Sequence, residues 1–291
     1  MSTGSRPIGI YYAYWTREWD VDFLPFIRKA QSLGFDILEI NGGAVVSLSS
    51  AERKNLRDEA AARNIALTFG IGLPPHYDVS SQDEKVRQAG VQFMKDMVAA
   101  VAECGGEMIG GTVHSYWPAT PPRDLEEKRR IRNQGIKSMK EVLPVAADLG
   151  VNLNVEVINR FEQFLLNTAA EAVSFVDEID MPNCGVLLDT FHMNIEEDSF
   201  LGALKTVGPR LKSFHVGEAN RKPPGMGRLP WEEIRQGLDA IDFHGPVVME
   251  PFVTPGGTVG RDIGIWREIM PEENLDDAVS RSVAFLQRVL R

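Results

Sequence analysis

Eight short runs rich in β-branched and aromatic residues recur along the chain, at residues 9–14, 36–41, 66–72, 108–115, 152–158, 185–190, 211–217 and 246–252. This rhythm limits the possible folds more than any other feature. Several of the runs are almost continuously apolar rather than alternating, as expected of strands covered on both faces of a parallel sheet. Helix-patterned stretches lie between them. Residues 23–33 end at Gly34, 83–103 end before Gly105, 126–149 end at Gly150, and 231–241 follow Pro230, so Gly and Pro punctuate the starts and stops. Each repeat averages roughly 36 residues, close to the ~30 or more that a strand and its crossover helix require. The expected fold is therefore α/β, a single (β/α)8 barrel forming one domain over residues 1–291, since no linker or shift in composition divides the chain. A doubly wound open sheet is the weaker alternative. Its glycine fingerprint is missing: Gly70-Ile71-Gly72 lacks a third glycine at the required spacing and reads as a tight strand exit.

With 43% hydrophobic and 25% charged residues, the chain can bury a large core. The balance of 31 Lys and Arg against 41 Asp and Glu gives a formal charge of -10, which disfavours nucleic acid and acidic membrane surfaces as partners. Cys104 and Cys184 form no CxxC pair and read as small buried hydrophobes. The opening MSTGSRP has no apolar core of a signal peptide, and no run approaches 18 apolar residues, so a cytoplasmic location is expected.

In such a barrel the active site forms at the C-terminal ends of the strands. Four consecutive strand-like runs end in an ionisable residue: Glu156 in Val155-Glu156-Val157, Asp189 in Leu188-Asp189-Thr190, His215 in Phe214-His215-Val216 and Glu250 in Met249-Glu250-Pro251. Their spacings of 33, 26 and 35 residues each match one βα step, so all four side chains can converge on one mouth. A charge embedded in an apolar run is costly unless paired or bound to metal. Taken singly, each reads as a paired core residue. Together they form a hard, oxygen-rich donor set suited to Mn²⁺, Mg²⁺ or Co²⁺.

The stretches GIYYAYW at 9–15, VEVINRFE at 155–162, LDTFHMN at 188–194 and VMEPF at 248–252 resemble the ketose 3-epimerase family, which includes D-tagatose and D-psicose (D-allulose) 3-epimerases. FHMNIEED at 191–198 and HVGEANRKPPGMGR at 215–228 extend the likeness, which spans nearly the whole chain.

The resemblance implies a xylose-isomerase-like TIM barrel holding one divalent ion per subunit, with Mn²⁺ first and Co²⁺ or Mg²⁺ as alternatives. The implied reaction inverts C3 of a free ketose, such as D-fructose/D-psicose or D-tagatose/D-sorbose, through a cis-enediolate. By position, Glu156, Asp189, His215 and Glu250 correspond to metal ligands, and Glu156 and Glu250 also to the acid/base pair. Glu162, His192 and Arg221 match residues that hold the O1–O3 end of the sugar, while Tyr11 and Trp117 resemble pocket walls. Members are commonly homodimers or homotetramers.

Plainer alternatives exist for the secondary residues. Glu162 and Arg221 can pair on the surface, His192 can cap backbone, and Tyr11 and Trp117 can simply pack the barrel mouth. His76, His114 and His244 read as structural, and Glu196-Glu197-Asp198 as a solvated helix start. The loop at 72–76 lies where substrate preference could be set. Rival functions are an aldose–ketose isomerase, a ketose-phosphate epimerase using the glycine-rich segment 255–260, and a non-catalytic sugar-binding protein. A metal-dependent abasic-site nuclease shares the architecture, but five histidines and a net charge of -10 argue against it.

Overall fold

The structure is a computed structural model and describes residues 6–290. Eight parallel strands close into a barrel in chain order: β1 (Ile8–Tyr11), β2 (Ile37–Asn41), β3 (Ala66–Leu73), β4 (Met108–Tyr116), β5 (Asn152–Val157), β6 (Cys184–Asp189), β7 (Leu211–Val216) and β8 (Val247–Met249). Closure comes from β1 pairing with both β2 and β8, with Ile8 opposite Val247 and the Val247 amide donating to Pro7 O at 2.9 Å. The expected barrel is thus observed, and the open doubly wound sheet is excluded.

Strand-facing helix surfaces and the outer faces of the strands make the core, where Ile10, Leu38, Ile40, Phe69, Val155, Leu188 and Phe214 are all fully buried. Several helices begin at side-chain caps, which satisfy amides that have no partner within the helix. Ser49 and Glu52 form a reciprocal capping box on the helix Ser50–Ala62, and Thr168 and Glu171 do the same for Ala169–Ile179. Asp83 and Asp124 cap the two longest helices, Glu84–Glu103 and Leu125–Asp148.

Two expected strands stop well short of the ends of their sequence runs, whereas the others agree to within a residue at each end. After Tyr11 the chain turns into a 3₁₀ segment, Tyr12–Tyr14, because those rings pack inward against Phe23 and Trp15 rather than continuing a ladder. β8 spans only Val247–Met249, since the Pro251 nitrogen has no hydrogen to donate, although the Glu250 amide still bonds to Val216 O at 3.0 Å. Between β3 and β4 the register slips at Ile71–Leu73, where Gly111 has a φ of +114°. A Cβ there would lie 2.1 Å from Ile71 O, so only glycine permits this irregularity in the mouth.

Both cysteines are buried and unbridged, with thiols that burial pushes up, to about 11 for Cys104 and about 12 for Cys184, as expected of inert core residues. The Glu196–Asp198 run departs from expectation. Glu196 ends the helix Thr190–Glu196 instead of starting one, and its side chain, only 3% exposed, receives the Arg160 guanidinium at 2.6 Å. Glu197 accepts the Ala169 amide, and the next helix, Phe200–Val207, is capped by Ser199. No helix among the described residues is long and apolar enough to cross a membrane.

Candidate active site

Glu156 projects from β5, Asp189 and His215 from the ends of β6 and β7, and Glu250 from the residue just after β8. Each of the four offers one ligand atom, and these atoms all lie within 4.8 Å of one another. His215 Nδ1 is 3.8 Å from Glu250 Oε1 and 4.0 Å from Glu156 Oε1. The strand ends are tied locally. Thr190 Oγ1 bonds to both Gly217 O and Gly217 N, fixing β6 against β7, and the Phe191 amide donates to Asp189 Oδ1 at 2.6 Å.

Arg221 is the cation in contact with this cluster. Its Nη1 lies 3.1 Å from Glu250 Oε2 and 3.3 Å from Asp189 Oδ2, and its guanidinium stacks 3.9 Å over the Phe191 ring. Arg221 therefore pairs with Asp189 and Glu250 rather than with Glu162, and at 11% exposure it is not a surface residue. It reaches inward from a tight turn in which it holds a left-handed φ of +59°, its amide donating to Glu218 O and its carbonyl accepting from Phe252 N. The fully buried Glu218 carboxylate anchors that turn by accepting from the Gly225 and Leu229 amides and Trp231 Nε1.

Electrostatics separate the carboxylates. Burial, reinforced by Glu250, pushes Glu156 well above the usual range, and burial pushes Glu250 up to about 7 despite His215 and Arg221. Asp189 is lower than usual: burial opposes its charge, but Arg221, His192 and His215 outweigh it. A nearby divalent cation is what lets several buried carboxylates stay ionised together. The donors fit one: three carboxylates and an imidazole whose Nδ1 is buried without a hydrogen-bond partner, all aimed at one point.

A second group borders the first. Glu162 accepts from Trp117 Nε1 at 3.0 Å and from Asn159 Nδ2 at 2.8 Å. Burial opposes its ionisation, yet His192, Arg221 and these two donors hold it below its ordinary value. Burial drives His192 down to about 4, so it is neutral near pH 7 and charged only in the acid range. The Asn159 amide donates to its Nδ1, which leaves the proton on Nε2, 4.0 Å from Glu156 Oε1. His192 thus does meet backbone, as its plainer reading held, while its other nitrogen faces the cavity.

A cavity opens at this mouth, enclosing about 540 Å³ when the space open to solvent is included. Tyr11, Trp117, Glu156, Glu162, His192, His215, Arg221 and Glu250 all line it, whereas Asp189 sits behind Arg221. Sequence reasoning missed Trp19, Phe252, Thr112 and Ile263 in the wall. Phe252 stood in the VMEPF stretch without a role, and Trp19 and Ile263 carry no strand-end signal. His76, His114 and His244 are absent from the lining. The segment 255–260 packs on residues 17–19, where Glu18 takes Thr258 Oγ1 at 2.8 Å. A phosphate there would meet that carboxylate.

Comparison with known proteins agrees with this geometry. Residues 27–287 match the family described as xylose isomerase-like TIM barrel. A D-psicose 3-epimerase of Agrobacterium fabrum is 44% identical over 285 residues, covering 97% of this chain and 98% of its own. Two solved structures superpose closely. A D-psicose 3-epimerase in the presence of D-fructose has a TM-score of 0.94 at 44% identity, covering 98% of this chain and 99% of its own. The D-psicose 3-epimerase of Clostridium cellulolyticum H10 with D-tagatose has a TM-score of 0.95 at 42% identity over the same shares. A strand-end donor cluster, a closed eight-stranded barrel and full-length similarity converge on one answer: the chain belongs to the xylose isomerase-like TIM-barrel family and, among its ketose 3-epimerases, is an epimerase-type isomerase.

Proposed function

We propose that the protein inverts C3 of free ketoses, with D-fructose/D-psicose and D-tagatose/D-sorbose as the expected pairs. The observation that carries this reading is the pair Glu156 and Glu250, two carboxylates of raised proton affinity, the first buried and the second partly so, that both line one cavity beside His215. Removing a proton beside a ketone leaves negative charge on oxygen. A divalent ion held by Glu156, Asp189, His215 and Glu250, with Mn²⁺ the first choice and Co²⁺ or Mg²⁺ next, would stabilise that charge as a Lewis acid.

The chain's own groups do the rest. One of Glu156 and Glu250 takes the C3 proton from one face of the sugar and the other returns a proton to the opposite face. With two bases the planar cis-enediolate need not turn over inside a site that grips its oxygens. Glu162, His192 Nε2–H and Arg221 hold the O1–O3 end, supplying an acceptor, a neutral donor and a charged donor side by side. Tyr11 and Trp117 wall the sugar chain and help exclude water. The whole chain, 1–291, acts as one catalytic domain, working in the cytoplasm as a homodimer or homotetramer, with no nucleic-acid or membrane partner.

Turnover in deuterated water tests the reaction. Solvent deuterium should enter C3 of the new epimer and leave C1 unlabelled. Label mainly at C1 would instead identify an aldose–ketose isomerase. Epimer formed without label at C3 would exclude proton transfer by these carboxylates.

A further inference from the structure

A further buried carboxylate, besides the three of the ligand cluster, faces that cluster from across the barrel. Glu39 is the third residue of β2, set among Ile37, Leu38 and Ile40, and it is 2% exposed. Its Oε2 accepts from Thr68 Oγ1 at 2.9 Å, on the neighbouring strand where the two residues are register partners. Its Oε1 lies 2.9 Å from His215 Nε2, an ion-pair distance, although the ring N–H is not lined up well enough for a directed hydrogen bond.

The two nitrogens of His215 therefore face different groups: Nδ1 looks into the cluster of Glu156 and Glu250, and Nε2 looks at Glu39. A nitrogen that binds a metal must present a lone pair, and a neutral imidazole has only one. Which nitrogen carries the proton is decided by the partner of the other. An ionised carboxylate can only accept, so a proton on Nε2 satisfies Glu39 and frees the Nδ1 lone pair for the cluster. The Thr68 hydroxyl, by bonding to the far oxygen, keeps the carboxylate turned toward the ring.

We propose that Glu39 is the positioning residue of the site: it holds His215 in the Nε2–H tautomer and aims Nδ1 at the divalent cation, touching neither cation nor sugar itself. This rests on the metal-centre reading given above, and the test separates the two.

Mn²⁺ affinity of the full-length chain is measured from the electron paramagnetic resonance signal of free Mn²⁺. The His215 tautomer is read from long-range ¹⁵N–¹H spectra with Zn²⁺ as a diamagnetic probe. Glu39→Leu should weaken Mn²⁺ binding about 10- to 100-fold, the range seen when outer partners of metal-bound histidines are removed. Glu39→Gln, whose amide oxygen can still accept from Nε2–H, should keep the tautomer and lose less. A Glu39→Leu chain that folds and binds Mn²⁺ as tightly as the parent would overturn the inference and leave the metal centre standing. A parent that binds no Mn²⁺ would overturn both. Should the Leu variant fail to fold, the parent spectrum decides: a proton on Nε2 with Nδ1 unprotonated supports the inference, and a proton kept on Nδ1 refutes it.

Discussion

Glu162→Gln alters one atom of the site and should give two separable losses. In the parent, each Glu162 oxygen receives a donor that cannot act as an acceptor: Trp117 Nε1–H at 3.0 Å and the Asn159 amide at 2.8 Å. A carboxamide has only one acceptor oxygen, so its NH₂ must face one of those donors. The indole cannot reverse. Asn159 can flip, but its Oδ1 already accepts the Phe161 amide at 3.0 Å and its Nδ2 lies 2.7 Å from His192 Nδ1, so flipping exchanges one conflict for two. One buried donor left unpaired costs about 1–3 kcal/mol of folding stability. That cost is present in free and sugar-bound protein alike, so it does not enter kcat/KM. The kinetic loss expected from the proposed role of Glu162 is that of a charge-assisted contact with a sugar hydroxyl, about 1.5–3 kcal/mol, or roughly 10- to 200-fold in kcat/KM. Urea denaturation at pH 7 reads the first, and product analysis by sugar chromatography reads the second. Because the folded Glu162 carboxyl ionises more readily than an unfolded one, the parent's stability advantage is present above pH 4.5 and fades as pH falls through the folded value. Adding Trp117→Phe removes the competing donor, so the double variant should recover about 1–2 kcal/mol relative to the sum of the single ones. Strict additivity, with Glu162→Gln as stable as the parent, would refute this account of the site.

Three further outcomes are expected. Chelation should abolish epimerisation and Mn²⁺ should restore it, while Asp189→Ala should weaken Mn²⁺ binding by more than ~100-fold, beyond the range of outer partners, as read by titration. Arg221→Ala should raise the sugar Kd by about 10- to 100-fold without weakening Mn²⁺ binding, since the charge removed is positive and stands beside Asp189 and Glu250; unchanged kinetics would remove Arg221 from the sugar site. His114 is buried against Phe175 without a hydrogen-bond partner and burial drives it down to about 3, whereas an unfolded histidine takes up its proton near 6.5. Its contribution to stability is thus complete above pH 6.5 and is lost on acidification toward pH 3, by up to several kcal/mol. His114→Leu should flatten that limb in pH-dependent denaturation while leaving turnover intact, and an unchanged limb would sink the argument.

The architecture was legible because the strands of this barrel are buried on both faces and their helices are punctuated by Gly34, Gly105 and Gly150, all at positive φ. The cluster was legible because charges that end apolar strands stand out. The same signal was present at Glu39 in ILEIN, yet it went unread because that carboxylate lies on β2, far in sequence from the other four. Glu218 was hidden for a different reason: its partners are backbone amides and an indole drawn together by a loop, and no periodicity records a loop's path. Likewise Glu196 reads as solvated until Arg160 folds back over it.

The order of strands around the barrel divides labour along the chain. Every residue of the donor cluster comes from β5 to β8 or the residue after it, whereas Tyr11, Trp19, Gly70, Ile71, Gly72, Thr112 and Trp117, from the first half, build much of the opposing wall. The donor cluster and much of the wall facing it therefore occupy separate stretches of one polypeptide, although Glu162, His192 and Arg221 line the cavity from the second half. Selection or a laboratory library confined to residues 11–117 can reshape what enters the cavity while leaving the acid/base pair untouched. Glu39 and Thr68 are the exception, since they reach from the first half to His215 in the second. A chimera that exchanged the first half between two such barrels would keep its chemistry only if it carried that pair across.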